Sequence, residues 1–385
     1  MHRRRLVIDA TPMLGWGARP AYSGIGRSTE EMIRALGAAR ANLPCDITLF
    51  GQRLRGKKLR DYGFAFPCRQ LFLPKTPIIE AMKRRLPIIE TFCPFDLFHA
   101  TANHASIYRA DKVVVTVHDA MHYAYPEEHL GQAKVADRCA AFARRCRAVV
   151  TPSQCSKDDI VKHFGVAPEK AHVLPWGVDR KRFYPVSDMA AARGRLAGRY
   201  GVHRPFFVMV SCDIGRKNSP LLVEAYLEAL RAGCRHDLAL VWKNPPQAVM
   251  DQVATAGAAE RVHFVSGLDD DDLRLFYGAA TASFFPSVYE GFGLPVLESM
   301  ACGTPVVTTR CASLPEVGGE AAVYVPPNDG KSLVAMMQAF DQGRIGGEEL
   351  RAKSLAQAGK FTWERYVQRL IPLYSMWLGI ERRSV

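Results

Sequence analysis

The chain has 385 residues, 48% of them hydrophobic and 23% charged, which is typical of a soluble globular protein with room for two cores of ordinary domain size. No apolar run approaches the roughly 20 residues that cross a bilayer, and the start MHRRRLVIDATPM reaches Asp9 and Pro12 before a signal-peptide core develops, which argues against a membrane-spanning or secreted protein and predicts a cytoplasmic one. The net charge of +13 predicts an anionic partner: nucleic acid, a membrane surface or a phosphorylated substrate.

Short apolar strands alternate with helical stretches through the first half of the chain. The predicted strands are LVIDA at 6–10, ITLF at 47–50, LFHA at 97–100, VVVTVHD at 113–119 and AVVT at 148–151. This βαβ rhythm predicts a mostly parallel sheet. The rhythm weakens over LPWGVDRKRFYPVSD, residues 174–188, which is rich in charge, aromatics and proline and is interpreted as a linker.

The same rhythm resumes in the second half. Its predicted strands are FFVMVS at 206–211, LALVW at 238–242, VHFVSG at 262–267, ASFFP at 282–286, PVVTT at 305–309 and AVYVP at 322–326. In the tail an apolar side chain recurs every three or four residues from Trp363 to Trp377, which predicts one amphipathic helix capped by Thr362. We expect an N-terminal domain at 1–175, a linker at 176–204, a C-terminal domain at 205–360 and a final helix at 361–385.

Ten cysteines are scattered along the chain without a CxxC pair or a Cys/His spacing suited to zinc. They are predicted to be small, buried and reduced residues. The sequence therefore indicates neither a disulfide framework nor a metal cluster.

Basic residues concentrate in the first ninety positions, as RRR at 3–5, QRLRGKKLR at 52–60 and KRR at 83–85. The last lies in KTPIIEAMKRRLPIIETF, where Ile78, Ile79, Met82 and Leu86 recur near helical spacing. Such a segment can lie on an anionic lipid surface or pack as a solvated helix on its own domain, and the sequence leaves both open. No zinc finger or aromatic RNA-binding motif accompanies the charges, so nucleic acid ranks third and is not expected as a partner.

Parallel sheets bind ligands on the loops that follow the carboxyl ends of their strands. After LVIDA, the run SGIG at 23–26 leads into a helix that is expected to begin near Arg27, and it either offers backbone N–H groups to an anion or forms a plain turn. After VVVTV, His118 and Asp119 end a buried strand. His118 is there either a core residue or a catalytic one.

Two loops of the second half carry stronger signals. Arg216 and Lys217 follow FFVMV and precede a helix that is expected to start around Asn218, where adjacent cations match the oxygens of a diphosphate. In SVYEGFGLPVLESMACGTPV, residues 287–306, Glu290 lies on a glycine-rich loop and Glu298 is placed in the first turn of a short helix. The loop amides and the helix dipole are predicted to face the same ligand.

The E-x7-E spacing of Glu290 and Glu298, with EGFGLP inside it and MACGTPVV after it, resembles the retaining glycosyltransferases of family four. SGIGR, VTVHD, TPSQCSKDDI, LPWGVD, RKN and SLPEVGGEAAVYVPP resemble family stretches in the family's order, so the likeness covers nearly the whole chain. Trp176 departs from the pattern, because many members have a small polar residue before GVD. The resemblance implies an α/β GT-B fold: two Rossmann-like, doubly wound parallel-sheet domains that face a central cleft, with the C-terminal helix crossing back to the N-terminal domain.

The resemblance also implies a role for each candidate residue. Glu298 would bind the ribose of a nucleotide sugar, and Glu290 and His118 would lie by the donor sugar. Arg216 and Lys217 would hold the diphosphate and stabilise the charge on the leaving group, a role that needs neither a metal nor another cofactor. The predicted catalytic residues are His118, Glu290, Arg216 and Lys217, and the predicted donor-binding residues are Gly24, Ile25, Arg216, Lys217, Ser266, Gly267, Gly291, Phe292, Gly293, Leu294 and Glu298.

The acidic run DDDD at 269–272 is not interpreted as a metal site. It precedes LRLFYGAA, where acids cap a helix and complement its dipole. By the family's pattern, Ser266 and Gly267 before it would line the pocket of the base.

Three functional hypotheses stay open. In the leading one, a peripheral enzyme at the inner face of a bacterial membrane moves a hexose with retention, mannose from GDP-mannose, onto an envelope or polyprenyl-diphosphate-linked oligosaccharide, because SGIGR and VTVHD resemble members of O-antigen or exopolysaccharide assembly. The second keeps the fold but uses a UDP-sugar and a soluble acceptor. The third is a non-catalytic nucleotide-sugar-binding protein, against which the presence of Glu290, Arg216 and Lys217 argues.

Overall fold

The computed structural model describes residues 3–14, 24–53, 58–125, 133–210 and 215–380. Their contacts divide into two compact units. The first holds the described residues up to Gly177 together with those from Trp363 onward, and the second holds Val178–Thr362. The segment 176–204, interpreted from the sequence as a linker, therefore belongs almost entirely to the second unit.

The first unit is built on a sheet of seven parallel strands among the described residues. They are β1 (Arg5–Asp9), β2 (Asp46–Gln52), β3 (Cys68–Leu71), β4 (Leu97–Ala100), β5 (Val113–Thr116), β6 (Ala148–Thr151) and β7 (Ala171–Val173). Their order across the sheet is β3-β2-β1-β4-β5-β6-β7. The edge strands β3 and β7 are absent from the sequence prediction, because they are short and only partly buried and so carry little apolar pattern.

Among its described residues, the second unit contains six parallel strands, and all six were predicted from the sequence. They are β8 (Phe206–Val210), β9 (Asp237–Val241), β10 (Val262–Val265), β11 (Ala282–Phe285), β12 (Val306–Thr309) and β13 (Ala322–Val325). Their order, β10-β9-β8-β11-β12-β13, is that of a doubly wound Rossmann sheet. Two Rossmann-like parallel-sheet domains are thereby confirmed.

Helices connect the strands of both sheets and cover them. The α-helices are α1 (Gly24–Ala38), α2 (Pro77–Arg85), α3 (Ile88–Phe92), α4 (Met121–Ala124), α5 (Ala133–Arg145), α6 (Gln154–Asp159), α7 (Met189–Tyr200), α8 (Ser219–Arg231), α9 (Gln247–Thr255), α10 (Asp270–Ala279), α11 (Leu294–Ala301), α12 (Leu314–Gly318), α13 (Gly330–Asp341), α14 (Gly347–Ala358) and α15 (Trp363–Leu378). A π-helical turn, Ile160–Phe164, continues α6. Short 3-10 turns span Thr11–Leu14, Arg40–Asn42, Leu59–Tyr62, Ala110–Lys112, Pro168–Lys170 and Gly319–Ala321.

Helix α1 begins three residues earlier than predicted, at Gly24 and not near Arg27. The hydroxyls of Ser28 and Thr29 both donate to Ile25 O, at 3.0 and 2.8 Å, so the carbonyl between the two glycines already takes part in the first turn. The glycines therefore form the start of the helix and do not precede it as a separate turn.

The final helix, α15, packs on the first sheet through a buried polar contact. Tyr374 OH lies 2.5 Å from His99 Nδ1, and His99 Nε2 lies 2.9 Å from Thr116 Oγ1. Burial lowers the pKa of His99 to about 3, so the ring is neutral and each ring nitrogen has a hydroxyl partner. Arg147 Nη1 also donates to Trp377 O at 2.6 Å. These contacts group the C-terminal helix with the first unit.

Candidate active site

The charged residues that stand out in the sequence of the second unit follow two adjacent strands. β8 leads to Arg216 and Lys217, and β11 leads to Glu290. These strands are neighbours at the point where the strand order reverses, with β9 and β10 on one side and β12 and β13 on the other. Open parallel sheets bind their ligands at such a switch point, outside the carboxyl ends of the strands.

The three side chains lie together. Arg216 Nη1 is 2.9 Å from Glu290 Oε2, and Lys217 Nζ is 3.8 Å from Glu290 Oε1. All three side chains retain between 13% and 19% of their exposure, so the cluster is shielded from solvent but not sealed off. Two cations around one carboxylate form a site that can exchange contacts with an incoming anion.

Backbone contacts hold the loop of Glu290 in place. Val288 N donates to Arg216 O at 2.8 Å, and Arg216 Nη1 donates to Tyr289 O at 3.0 Å. From the loop after β12, Ser313 Oγ donates to Glu290 O at 2.7 Å. Ser313 lies in the run SLPEVGG, but a single serine in a loop has no periodic signal, and its supporting role was not predicted.

The glycine-rich loop enters helix α11 through a backbone conformation that favours glycine. Gly293 has φ +107° and precedes the first residue of the helix, so a side chain at this position would be strained. The predicted donor-binding residues of this loop are consecutive and lead into the helix: Gly291, Phe292, Gly293 and Leu294.

Glu298 lies in the second turn of α11, whereas the first turn was predicted. The helix starts at Leu294, which makes Pro295 its second residue and Glu298 its fifth. The carboxylate is buried, and Oε2 accepts a hydrogen bond from Tyr277 OH at 2.9 Å. Tyr277 was not predicted, because within LRLFYGAA it has the pattern of a core residue of α10.

Ser266 and Gly267 follow β10, the edge strand that β9 separates from β8. Both residues are exposed, and Gly267 has φ +71°. The acidic run after them caps α10, as predicted, because Asp269 Oδ1 accepts from Asp272 N at 2.7 Å. Asp272 itself is buried and ion-paired with Arg195 at 2.6 Å.

The remaining predicted residues belong to the first unit. Gly24 and Ile25 are the first residues of α1. His118 follows β5, which ends at Thr116, three residues before the predicted end of the strand at Asp119. Its backbone N–H donates to Asn103 Oδ1 at 2.9 Å.

The His118 ring is almost fully buried. Its Nε2 lies 3.0 Å from Thr101 O and so carries the proton, and burial lowers the pKa of the imidazole to about 4. The ring centre is 5.2 Å from that of Trp176, at an interplanar angle of 58°. The tryptophan that departs from the family pattern therefore packs directly on the predicted catalytic histidine.

One group of side chains has the composition of a metal site. The possible ligand atoms of Cys234, His236 and Asp341 lie within 4.8 Å of one another. His236 Nδ1 lies 2.6 Å from Asp341 Oδ1, and His236 Nε2 lies 2.9 Å from Thr281 Oγ1, so hydrogen bonds account for the ring position. The nine cysteines that the structure describes are free thiols.

Among the described helices, none has the length and apolar composition of a membrane-spanning segment.

Both halves of the chain match known sequence families. Residues 22–182 match the family described as Glycosyltransferase Family 4, and residues 205–340 match Glycosyl transferases group 1. The first match contains Gly24, Ile25 and His118. The second contains Arg216, Lys217 and both glutamates.

Curated relatives include mannosyltransferases. The chain is 33% identical to the MMP alpha-(1->4)-mannosyltransferase of Mycolicibacterium hassiacum over 242 residues, which is 60% of this chain and 54% of that protein. It is 27% identical to the O-antigen chain mannosyltransferase B of Escherichia coli over 374 residues, which is 92% of this chain and 96% of that protein. The chain thus spans about half the length of the first relative and nearly all of the second.

Solved structures share the fold. Sucrose-phosphate synthase from Thermosynechococcus elongatus matches with a TM-score of 0.73 at 20% identity, covering 98% of this chain and 100% of that one. Alr3699/HepE of Anabaena, in complex with UDP-glucose, matches with a TM-score of 0.73 at 17% identity, covering 97% and 100%. The two parallel sheets and the two family matches together show that the chain belongs to the glycosyltransferases with the GT-B fold, with a family 4 domain followed by a group 1 domain.

Proposed function

We propose that this glycosyltransferase works with retention of anomeric configuration and without a metal, moving mannose from GDP-mannose onto a lipid-linked or envelope oligosaccharide. The observation that carries the proposal is the cluster of Arg216, Lys217 and Glu290 at the switch point between β8 and β11. Mannose is supported by the relatives, two of which are named mannosyltransferases. A UDP-sugar donor remains the alternative to be tested.

The chemistry follows from the charges of the cluster. The diphosphate of the nucleotide sugar binds Arg216 and Lys217, whose N–H groups donate hydrogen bonds to the phosphate oxygens. Negative charge grows on the diphosphate as the bond from the sugar C1 to the phosphate oxygen breaks, and the two cations stabilise it. The acceptor hydroxyl attacks C1 from the same face, and its proton passes to the departing phosphate oxygen. Glu290 lies beside the sugar and stabilises the positive charge that develops on the ring.

The acceptor side of the proposal rests on helix α2 and its C-cap Leu86, which expose three apolar side chains. Its apolar stripe, defined as Ile78, Met82 and Leu86, is 74%, 45% and 49% exposed. Lys83, in contrast, is only 3% exposed and lies 2.7 Å from Glu80. An apolar stripe that faces solvent in a chain with a net charge of +13 suits an anionic membrane that carries a lipid-linked acceptor.

The decisive experiment on catalysis is Glu290→Gln, which keeps the shape of the side chain and removes its charge. We expect kcat to fall by about 10²–10³-fold, while the dissociation constant for GDP-mannose changes only a few-fold. The matched control is Glu349→Gln on α14, an exposed glutamate paired with Lys353, which should leave both quantities unchanged. Full turnover in Glu290→Gln would overturn the catalytic assignment.

Membrane docking is tested by sedimentation with anionic vesicles. Met82→Ser on the stripe is expected to weaken binding about tenfold, since burying a methionine side chain contributes roughly 1.5 kcal/mol. Met376→Ser is the control, because Met376 is also exposed (56%) but lies on α15. Equal binding of Met82→Ser and wild type would argue for the soluble-acceptor alternative.

A further inference from the structure

The first unit has a pocket at the edge of its sheet where the strands begin, the opposite end from the loops that bind ligands in such folds. Arg5 opens β1, and Lys112 directly precedes β5. Together with Pro87, Glu90 and Tyr108 they line a pocket of about 230 Å³. The glycosyltransferase reaction as proposed above makes no use of this pocket.

The pocket is lined by the cationic side chains of Arg5, Arg109 and Lys112. Arg5 and Arg109 are partly neutralised, since Arg5 Nε is 3.8 Å from Asp96 and Arg109 forms two contacts with Asp111, at 2.9 and 2.8 Å. For Lys112, no carboxylate in the described part of the chain lies within the 4.0 Å of an ion pair. Lys112 thus offers a cation without a partner carboxylate.

The pocket also needs a hydrogen-bond donor. Glu90 Oε1 accepts from Arg109 N at 2.9 Å, but Glu90 Oε2 is buried and has no hydrogen-bond partner among the described residues. A buried acceptor left unpaired is costly, and for a carboxylate oxygen the favoured donor is a cationic N–H. The ligand that satisfies both Lys112 and Glu90 carries a phosphate and an ammonium group a few bonds apart.

The position of the pocket indicates a lipid. Pro87 follows Leu86, the last residue of the apolar stripe, and lines the pocket. Tyr108 and Phe92 expose large apolar surface nearby in the fold, on the loop and the helix joined by the bond from Arg109 N to Glu90. Along the chain, the apolar stripe therefore leads directly into the pocket, which Tyr108 also lines.

We propose that this pocket binds the phosphoethanolamine head group of a membrane lipid, with the phosphate at Lys112 and the ammonium at Glu90 Oε2. The proposal rests on the membrane docking proposed above and adds a lipid preference to it. A choline head group cannot replace ethanolamine, because its quaternary nitrogen has no N–H to donate to the carboxylate.

The test uses the full chain and vesicles with a constant fraction of phosphatidylglycerol, in which phosphatidylethanolamine replaces phosphatidylcholine. Wild type is expected to bind the ethanolamine vesicles about tenfold more tightly, the effect of one charge-assisted hydrogen bond. Glu90→Gln should lose this preference and retain the binding due to phosphatidylglycerol. Its Oε1 still accepts from Arg109 N, so the fold is preserved.

Two further measurements distinguish head-group binding in the pocket from membrane docking through the apolar stripe. Calorimetric titration with soluble glycerophosphoethanolamine should show binding to wild type and none to Lys112→Ala, while Lys331→Ala in the second unit binds normally. If Met82→Ser weakens vesicle binding about tenfold and wild type shows no preference for ethanolamine, docking stands and the pocket proposal fails. If glycerophosphoethanolamine binds but inorganic phosphate binds equally well, the pocket is a general anion site and the proposal is also overturned.

Discussion

At the scale of single residues, His118 shows how burial defines what a side chain can do. Its ring is enclosed, Nε2 donates to Thr101 O, and Trp176 covers one side. Because burial lowers its pKa to about 4, the imidazole is neutral at pH 7. Because its N–H already binds Thr101 O, the neutral ring has only Nδ1 left, which can accept a hydrogen bond and carries no positive charge.

The same shift predicts how stability depends on pH. An unfolded histidine titrates near pH 6.5, so between about pH 4 and 6.5 the unfolded chain binds the proton that folded His118 refuses. Stability is therefore present above pH 6.5 and is lost as the pH falls through that window. The free energy of unfolding, measured in urea, should depend less steeply on pH in His118→Gln than in wild type. The difference in slope should reach about 1.4 kcal/mol per pH unit. His99 remains and keeps part of the slope, so an identical slope in both proteins would contradict the prediction.

At the scale of elements, helix α7 and the segment before it, both predicted as a linker, pack on the second unit and form part of it. Arg195 and Arg199 of α7 reach the buried carboxylate of Asp272 on α10, at 2.6 and 2.5 Å. Val186, just before the helix, packs against Gly278 of α10 so closely that a Cβ at Gly278 would lie 2.6 Å from Val186 Cγ2. The charge-rich segment is thus attached to the domain by ion pairs and by close packing.

This packing predicts opposite effects for the same substitution at two helical glycines. Gly278→Ala should lower the free energy of unfolding by about 1–3 kcal/mol, since the added methyl group overlaps Val186. Gly194→Ala in α7 should raise it by about 0.5–1 kcal/mol, because a side chain there meets no atom within 4 Å and alanine favours helix. Urea denaturation measures both. Stability changes of the same sign in the two variants would contradict close packing of Val186 on Gly278.

At the scale of the whole molecule, a donor that binds only the folded protein should stabilise it by mass action. At 100 times its dissociation constant, GDP-mannose is expected to add roughly 2.7 kcal/mol, which appears as a higher melting temperature. The double variant Arg216→Ala, Lys217→Ala should lose this shift, because the cations proposed to hold the diphosphate are gone. A rise in melting temperature with UDP-glucose and none with GDP-mannose would contradict GDP-mannose as the donor and support a UDP-sugar.

The central strands could be predicted because a strand buried on both faces is a continuous apolar run, as in VVVT at β5 and FFVMV at β8. The edge strand CRQL at β3 could not, because its side chains are only partly buried and its composition is polar. The loops of Arg216 and Glu290 could also be predicted, because adjacent cations and glycine-flanked acids are unusual beside buried strands. Glu298 lies one position further into α11 than predicted, because the start of this short helix depends on the αL conformation of Gly293.

Sequence alone therefore determined the two parallel sheets and named Arg216, Lys217 and Glu290, because alternating apolar runs and the residues at their ends are local properties of the chain. Only the tertiary structure decided that residues more than 70 positions apart meet at 2.9 Å, that α2 turns its apolar side to solvent, and that Ser313 and Tyr277 support the two glutamates. The physical reason is strand order: β11 pairs with β8 and not with β10, its predecessor along the chain, and long-range pairing of this kind leaves no trace in local composition.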